Sequence, residues 1–237
     1  MEEEQRQKSW LHGVIKIVAV IIALSFLFTV TGRGLSYFFS TPWELLEMSR
    51  SLEEDPLVED LKQSVVFLNT RGPGGTQHSG TGFNLHPEGL IVTNRHVIEE
   101  AMFVGVSFVA EGNYSAVQWN KGKEADIALV RLEGEVSGLP YVEMSSEQPE
   151  PDDEVLVIGN PMQHRRVAME GSVVEISHGR MIIDAPVYPG HSGSPVFNPD
   201  GEVVGVLYAS RETANGQTVG LAVSLNELGN FLQRVEP

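Results

Sequence analysis

The chain has 237 residues, of which 41% are hydrophobic, and it contains 24 glycines and 13 prolines but no cysteine. This length suffices for one two-lobed domain with a sizeable core, and the many glycines and prolines are typical of an all-β protein rich in loops. The lack of cysteine excludes a disulfide framework, and the formal net charge of −16 argues against a nucleic-acid-binding function.

The first long apolar segment spans residues 11–30 and is interrupted mainly by His12 and Lys16. Twenty residues form a helix of about 30 Å, which matches the thickness of a bilayer core. Three basic residues precede or enter this segment and only Arg33 closely follows it, so the N-terminus is predicted to be cytoplasmic. Residues 1–33 are therefore interpreted as a cytoplasmic tail with a signal-anchor helix. The alternative is a cleaved signal peptide, but no convincing small-residue cleavage site follows the segment.

Residues 34–60 are predicted to form a helical linker next to the membrane. Thr41 can cap a helix in which Pro42 is the first residue and Glu44 completes a capping box. Aromatic residues at positions 37–39 precede this helix, and a membrane-interface belt is one interpretation of them.

Short apolar segments typical of strands predominate from Val65 onward. In a first lobe, over about residues 61–146, they are Val65–Leu68, Leu90–Thr93, Phe103–Val109, Ala116–Trp119 and Ile127–Leu132. The glycine-rich segment 72–82 lacks the Gly-Lys-Ser/Thr ending of a phosphate-binding loop. It is therefore predicted to be a flexible loop before a strand.

A second lobe is predicted over about residues 154–223. The acidic, proline-containing segment 147–154 suits a solvated crossover that leads into it. Ser224 and Glu227 form a capping box, which predicts a C-terminal helix over residues 224–234. The strands predicted for this lobe are Val155–Ile158, Val167–Ile176, Met181–Ile183, Val196–Phe197, Val203–Leu207 and Val219–Val223.

Three segments contain residue types that nucleophilic catalysis uses. Ser192 lies between glycines in the segment Pro189–Pro195, where backbone N–H groups can converge on one point. His96 follows an apolar strand, and Asp126 begins another, where a buried carboxylate needs a partner such as an imidazole. His, Asp, Ser is one of the three chain orders known for such a triad. For Ser192 taken alone, an ordinary Gly/Ser/Pro turn is the alternative.

Several short motifs occur together in a characteristic order. They are Gly-Thr-Gly-Phe at 80–83, Thr-Asn-Arg-His-Val at 93–97, Ala-Asp-Ile-Ala-Leu-Val at 125–130, Ile-Gly-Asn-Pro at 158–161, Asp-Ala at 184–185 and Gly-His-Ser-Gly-Ser-Pro at 190–195. With these motifs the chain resembles the trypsin-like serine proteases, most closely the HtrA/Deg branch, over about residues 60–225. It departs from the branch at His191 and Ser194, where asparagine and glycine are usual, at Arg95, and at Met162, where glycine is frequent.

The resemblance implies a chymotrypsin-like fold of two six-stranded antiparallel β-barrels within residues 61–237. It also implies that Ser192 is the nucleophile, His96 the general base and acid, and Asp126 the residue that fixes the imidazole tautomer. Backbone N–H groups of Gly190 and Ser192 would form the oxyanion hole. No cofactor is implied, and none of the seven histidines occurs in a metal-binding motif, so no metal site is predicted.

The resemblance further implies where the primary substrate pocket lies. The two segments that would line it contain no carboxylate, histidine or arginine. The pocket is therefore expected to accept small or medium uncharged residues, because a buried cation or carboxylate would lack a counter-charge there. The residues concerned are Pro186, Val187, Tyr188, Leu207, Tyr208 and Ala209, with Tyr208 limiting the depth.

In functional terms, the resemblance implies a membrane-anchored serine endopeptidase that cleaves misfolded or regulatory proteins outside the cytoplasm, in a periplasmic or extracellular location. The aromatic residues at 37–39 also resemble the N-terminal contacts of homotrimers in this branch, as an alternative to a membrane-interface belt. A PDZ domain, common in the branch, is not expected, because the sequence ends directly after the predicted helix. A catalytically silent scaffold or chaperone-like binding module is the alternative function, and the complete triad argues against it. An α/β-hydrolase esterase would require Gly-x-Ser-x-Gly and another triad order.

Overall fold

The computed structural model describes residues 43–214 and 216–235. Within these ranges, no helix is long and apolar enough to span a membrane. The anchor helix predicted at residues 11–30 and the aromatic residues at 37–39 lie outside the described part of the chain.

Six antiparallel strands close into a first barrel: β1 Val65–Arg71, β2 Gln77–Asn84, β3 Leu90–Thr93, β4 Phe103–Ser107, β5 Asn113–Lys121 and β6 Ala128–Leu132. Their spatial order is β1-β2-β3-β6-β5-β4. The strands β1 and β2 pair over seven residues, with Phe67 opposite Thr81 and Asn69 opposite Ser79.

The prediction of a flexible loop over residues 72–82 is wrong for the second half of this segment, which belongs to β2. The glycines there permit close packing instead of motion. A Cβ at Gly80 would lie 2.9 Å from Cγ2 of Val97, and one at Gly82 would lie 2.9 Å from the carbonyl oxygen of Val92. The glycine-containing part of β2 pairs with β1 over residues 77–83, and β3 pairs with its last two residues, 83 and 84. The pairing with β1 supplies the hydrogen bonds that an isolated glycine-rich segment would lack.

A second closed barrel follows, with the strands β7 Glu154–Gly159, β8 Val167–Ser177, β9 Arg180–Asp184, β10 Pro195–Phe197, β11 Val203–Glu212 and β12 Thr218–Ser224. Their spatial order is β10-β11-β12-β9-β8-β7. The predicted strands of this half correspond to these six, because each contains a continuous or alternating apolar run that the barrel core buries. The predicted all-β fold of two six-stranded antiparallel barrels is confirmed.

The described ranges contain four α-helices besides the barrels: α1 Trp43–Ser51, α2 Pro56–Ser64, α3 Arg95–Ile98 and α4 Leu225–Val235. Ser49 attaches α1 to the second barrel, because its hydroxyl accepts a hydrogen bond from the N–H of Ala168 at 3.0 Å. The helix α2 was not predicted as a separate element. Its start is well specified, since Asp55 Oδ1 accepts from the N–H of Leu57 at 2.9 Å and a proline follows the cap. The predicted C-terminal helix is confirmed as α4.

A continuous apolar core joins the two barrels. It contains Val65, Phe83 and Val92 from the first barrel, several residues of the second barrel, and one face of α4. Burial of this many large side chains is the main stabilising contribution to such a fold. The residues from the second barrel and α4 include Ile158, Phe197, Val206, Val223, Leu228 and Phe231.

Candidate active site

His96 lies where the first barrel leads from β3 into the short helix α3. The strand ends at Thr93 and the helix begins at Arg95, so the histidine occupies the second helical position. The following residues, Val97 and Ile98, are buried and anchor the helix to the barrel. The His96 side chain is 47% exposed. The imidazole is therefore held on a fixed segment and remains accessible.

Asp126 contacts His96 through both carboxylate oxygens. Its Oδ1 accepts a hydrogen bond from the backbone N–H of His96 at 3.0 Å, and its Oδ2 lies 2.6 Å from Nδ1 of the ring. A carboxylate can only accept, so Nδ1 donates and the neutral ring has its lone pair on Nε2. Asn94 Nδ2 donates to the Asp126 carbonyl at 2.8 Å and ties the two segments together. This arrangement leaves Nε2 able to accept a proton.

The pKa of Asp126 is lower than that of a free aspartate. Partial burial alone would raise this pKa, but the hydrogen bonds from the His96 side chain and backbone, with the charges of His96 and Arg95, lower it by more. The carboxylate is therefore ionised at neutral pH. An ionised carboxylate at this position stabilises a protonated His96 ring.

Ser192 lies in a tight loop that the two barrels hold from opposite sides. The flanking Gly190 and Gly193 have φ values of 101° and 86°, in the left-handed region that favours glycine. A Cβ at Gly193 would overlap the carbonyl oxygen of Thr81 in β2. The N–H of Thr81 donates to the Ser192 carbonyl at 2.8 Å, and the N–H of Gly193 donates to Leu207 of β11 at 2.8 Å. The loop thus joins β2 to β11.

Within the described residues, the backbone N–H groups of Gly190 and Ser192 have no acceptor. Each belongs to a peptide whose carbonyl is already held. The carbonyl of Pro189 accepts from the N–H of Met162 at 2.9 Å, and the carbonyl preceding Ser192 accepts from the N–H of Ser194 at 2.9 Å. In a trans peptide the N–H points away from its own carbonyl, so these two bonds also fix the direction of the free N–H groups. Fixed, unoccupied donors are what an oxyanion requires.

The histidine segment and the serine loop approach each other at Gly80. A Cβ on Gly80 would lie 2.9 Å from Cγ2 of Val97, the residue after His96, and 3.2 Å from the carbonyl oxygen of Ser192. No hydrogen bond between the Ser192 hydroxyl and the His96 ring occurs among the described residues. The structure therefore brings His96 and Asp126 into direct contact and places the Ser192 loop beside them. In proteases without substrate, this last hydrogen bond is commonly long.

Sequence reasoning missed a hydrogen-bond network around the hydroxyl of Thr81. This hydroxyl donates to the carbonyl oxygen of Gly190 at 2.9 Å and accepts from Asn160, at 2.9 Å from its N–H and 3.2 Å from its Nδ2. Asn160 Nδ2 also donates to the carbonyl of Val66 at 3.0 Å. Thr81 and Asn160 are both buried. The only sequence signal was their presence in two of the quoted motifs.

A second buried polar group lies behind the nucleophile. The His191 side chain is fully buried, and burial lowers its pKa to about 4 despite the hydrogen bond with the Tyr188 backbone, which raises it. Its Nε2 and the hydroxyl of Ser194 are buried without a hydrogen-bond partner among the described residues, and both side chains lie against Gly159. These are two of the positions at which the chain departs from the HtrA/Deg pattern.

The residues predicted to line the primary pocket differ in their placement. Val187 and Leu207 are buried in the core of the second barrel, where both pack on Gly220, since a Cβ there would lie 2.9 Å from each side chain. Tyr208 instead lines a cavity of about 510 Å³ together with Asp126. The side chains that remain partly exposed are Pro186, Tyr188, Tyr208 and Ala209.

The part of the chain that the structure describes contains no candidate metal site. No group of three or more His, Asp and Glu side chains in that part is placed to hold a metal ion.

Comparisons with known proteins agree with the geometry of the site. Residues 80–206, more than half of the chain, match the model of the trypsin-like peptidase domain. The chain is 29% identical over 211 residues to a probable periplasmic serine endoprotease, DegP-like, of Rickettsia conorii, covering 79% of this chain and 41% of the relative. It is 30% identical to the putative serine protease HhoB of Synechocystis, covering 67% and 40%. The chain thus spans about two fifths of the length of these relatives.

Solved structures share the fold. The active form of the Rv3671c protease from M. tuberculosis superposes with a TM-score of 0.69 at 22% identity, covering 78% of this chain and 86% of that protein. The serine endoprotease from Yersinia pestis superposes with a TM-score of 0.67 at 24% identity, covering 75% and 64%. Together with the sequence relatives, these structures confirm the resemblance seen in the motifs.

Proposed function

Because this chain belongs to the trypsin-like peptidase family, in its HtrA/Deg branch, we propose that it is a serine endopeptidase that uses His96, Asp126 and Ser192. One observation carries the proposal. The Asp126 carboxylate holds both the backbone and the ring of His96, at 3.0 and 2.6 Å, while two directed N–H groups flank Ser192 without an acceptor. A merely structural loop would have no reason to leave these donors unpaired.

The proposed reaction follows from these positions. The hydroxyl of Ser192 attacks the carbonyl carbon of the scissile peptide bond, and its proton passes to Nε2 of His96. The carbonyl oxygen becomes an oxyanion and receives hydrogen bonds from the N–H groups of Gly190 and Ser192. The imidazolium, stabilised by Asp126, then protonates the leaving amine and an acyl-enzyme forms. Water then attacks the carbonyl carbon of the acyl-enzyme while His96 accepts its proton. The bond to Ser192 breaks, the serine oxygen receives the proton from His96, and the acid product leaves.

The proposed substrates are misfolded or regulatory proteins outside the cytoplasm. Several relatives are named periplasmic serine endoproteases, which supports an extracytoplasmic location for the catalytic domain. The apolar residues 11–30 supply the proposed anchor, with the N-terminus cytoplasmic. Assembly into a homotrimer through the segment that precedes the barrels is proposed on the family resemblance.

Labelling with a fluorophosphonate probe tests the catalytic proposal, because such probes react only with an activated serine. The wild-type protein should be labelled and should cleave an unfolded protein substrate, whereas Ser192→Ala should do neither and should keep its folded circular-dichroism spectrum. The matched control Ser210→Ala removes a hydroxyl from an exposed position of β11 and should be labelled as the wild type is.

The alternative function is a catalytically silent scaffold or chaperone-like binding module. The departures from the HtrA/Deg pattern at His191 and Ser194, close to Ser192, are the observation that favours it. A wild-type protein that suppresses aggregation of an unfolded substrate, but is neither labelled nor able to cleave that substrate, would establish this alternative.

The proposed membrane anchor is tested separately, with reporter proteins fused after residue 45. Alkaline phosphatase, which needs export, should be active in such a fusion, and the full chain should resist extraction with carbonate. Recovery of a chain shortened by about 30 residues would instead establish a cleaved signal peptide.

A further inference from the structure

An open pocket lies beside the Ser192 loop, on the side of the first barrel. Its volume is about 430 Å³, which is enough for one or two side chains of a peptide. None of the residues that line it carries a carboxylate, although the protein has a formal net charge of −16. The lining residues are Phe67, Asn69, Gln77, His78, Ser79 and Arg165.

The pocket is close to the nucleophile because β2 contributes residues to the pocket and also contacts the Ser192 loop. Thr81 of β2 donates from its N–H to the Ser192 carbonyl at 2.8 Å. Ser79 lies two residues earlier on the same strand, or about 7 Å away at the rise of a β-strand. Phe67 is directly opposite Thr81 on β1, and Asn69 is directly opposite Ser79. These four side chains therefore share one face of the sheet, which extends from Ser192 into the pocket.

Arg165 gives the pocket its charge. Its guanidinium lies 5.2 Å from the centre of the Phe67 ring, in cation–π contact. This contact orients an exposed arginine over the pocket, and no carboxylate within the described residues forms an ion pair with it.

The neighbouring Arg166 adds to the positive charge beside the pocket. Its Nε donates to the carbonyl of Val65 at 3.2 Å, while its Nη2 is buried without a hydrogen-bond partner among the described residues. The pKa of Arg166 is lowered by burial and by the charge of Arg165. Two adjacent guanidinium groups that repel each other make this region favourable for an anion.

The position of the pocket identifies which half of a substrate reaches it. The Ser192 loop is bonded to β11 through Gly193 and Leu207 and to β2 through Thr81. The residue before the scissile bond is proposed to bind on the β11 side, near residues 207–209. A peptide that crosses Ser192 then carries the residues after the bond over β2. An extended chain advances about 3.3 Å per residue, so the first two of these residues reach the pocket.

We infer that the pocket around Arg165 is a subsite for an aspartate or glutamate within the first two substrate residues after the scissile bond. This inference rests on the proposed endopeptidase function and specifies its substrates. The carboxylate of the substrate would bind the guanidinium of Arg165, which presents several donors in a planar arrangement. Polar side chains of the pocket, such as Asn69 and Gln77, are available as further donors.

The test compares internally quenched peptides that share an uncharged sequence and differ only after the intended bond, where two residues are both Glu, both Gln or both Lys. Wild-type kcat/KM should be about 2- to 5-fold higher for the Glu peptide than for the Gln peptide, as expected for a partly exposed ion pair. The ratio should shrink in 0.5 M NaCl, because salt screens exposed charges. Mass spectrometry identifies the bond that is cut.

Two charge-reversal variants sharpen the comparison. Arg165→Glu should invert the order of the Glu and Lys peptides, and this ratio is independent of any general loss of activity. Arg131→Glu makes the same charge change at an exposed position of β6, away from the pocket, and should keep the wild-type ratio. A Glu/Gln ratio of one in the wild type, or a ratio that Arg165→Glu leaves unchanged, overturns the inference.

Cleavage-site profiling of a denatured protein mixture provides the second measurement, since it does not depend on one peptide sequence. The wild type should enrich Asp and Glu at the first two positions after the cut bonds, and Arg165→Glu should abolish this enrichment. Cuts without acidic enrichment would overturn the subsite alone. The absence of any cuts, together with the absence of fluorophosphonate labelling, would overturn the proposed function and the subsite with it.

Discussion

The hydroxyl of Thr81 donates a hydrogen bond to the carbonyl oxygen of Gly190 at 2.9 Å and so links the first barrel to the loop of Ser192. The same hydroxyl accepts from Asn160, which follows β7 of the second barrel. Thr81 does not reach the reacting atoms in this arrangement. It positions the peptide between Gly190 and His191, next to the proposed oxyanion donors.

Thr81→Val keeps the shape of the side chain and removes its hydroxyl. We expect a loss of about 1–3 kcal/mol in the free energy of unfolding, because the Gly190 carbonyl and the Asn160 N–H lose a buried partner. We also expect kcat to fall at least about tenfold with little change in KM, since disordered donors impair transition-state binding. Thr81→Ser retains the hydroxyl and should restore most of kcat. An equal kcat in the wild type and both variants would show that the network is merely structural.

Asp126→Asn tests whether the carboxylate sets the tautomer of His96. An asparagine that presents its amide N–H groups to Nδ1 requires the ring proton on Nε2, and the ring then cannot accept the proton of Ser192. In trypsin-type enzymes this change lowers kcat by about 10⁴. Peptidase assays on the purified variant provide the measurement. Asp200→Asn, at an exposed position, serves as the control and should retain full activity.

The buried His191 should make folding stability depend on pH. Its pKa is about 4 in the folded protein against 6.5 for a free histidine, so the unfolded chain binds a proton between these values and the folded protein does not. Its contribution to stability is therefore complete above pH 6.5 and is lost as the pH falls toward 4. The loss should approach about 3 kcal/mol, at 1.36 kcal/mol for each pKa unit.

Urea denaturation at pH 7 and at pH 4.5 measures this dependence for the wild type and for His191→Asn. The asparagine variant, which has no titratable group at this position, should lose less stability on acidification. His178→Asn replaces an exposed histidine whose φ of 52° suits asparagine, and it should keep the wild-type dependence. An identical pH dependence for His191→Asn and the wild type would refute the assignment.

The residue before the scissile bond should be small or of medium size and uncharged. The Val187 and Leu207 side chains fill the barrel core on either side of Gly220, and no carboxylate lies in the segments 186–188 and 207–209 to neutralise a bound lysine or arginine. Cleavage profiles from a denatured protein mixture should show Ala, Val and Leu at this position. Because one methylene changes discrimination by only about 1–3 kcal/mol, the preference should be broad. A dominant Lys, Arg or Glu would place the pocket elsewhere.

The sequence by itself determined the features that depend on neighbouring residues. The strands of the second barrel follow apolar patterns of period two or continuous apolar runs, which identify a strand wherever it packs. The C-terminal helix begins directly after Ser224, the first residue of the Ser-x-x-Glu pattern that predicted its start. The motifs at residues 93–97, 125–130 and 190–195 were sufficient to propose His96, Asp126 and Ser192 together. In each case the information lies within a few consecutive residues.

The tertiary structure decided the features that depend on distant residues. The strand β2 contains glycines and exposed polar residues and has no apolar pattern of its own over residues 77–80, so only the pairing of these residues with β1 makes them part of a strand. The hydroxyl of Thr81 bonds to Gly190, 109 residues away, and accepts from Asn160, 79 residues away.

The position of Arg165 also depends on residues that are distant in the sequence. In the sequence this arginine belongs to a short basic segment of an acidic chain, and its cation–π contact with Phe67 of the other barrel places it at the pocket on the first barrel. Hydrogen bonds and ring contacts across such separations have no local pattern, because any buried polar or aromatic group can satisfy them. The closure of the two barrels selects which of these groups meet, and that closure is a property of the whole chain.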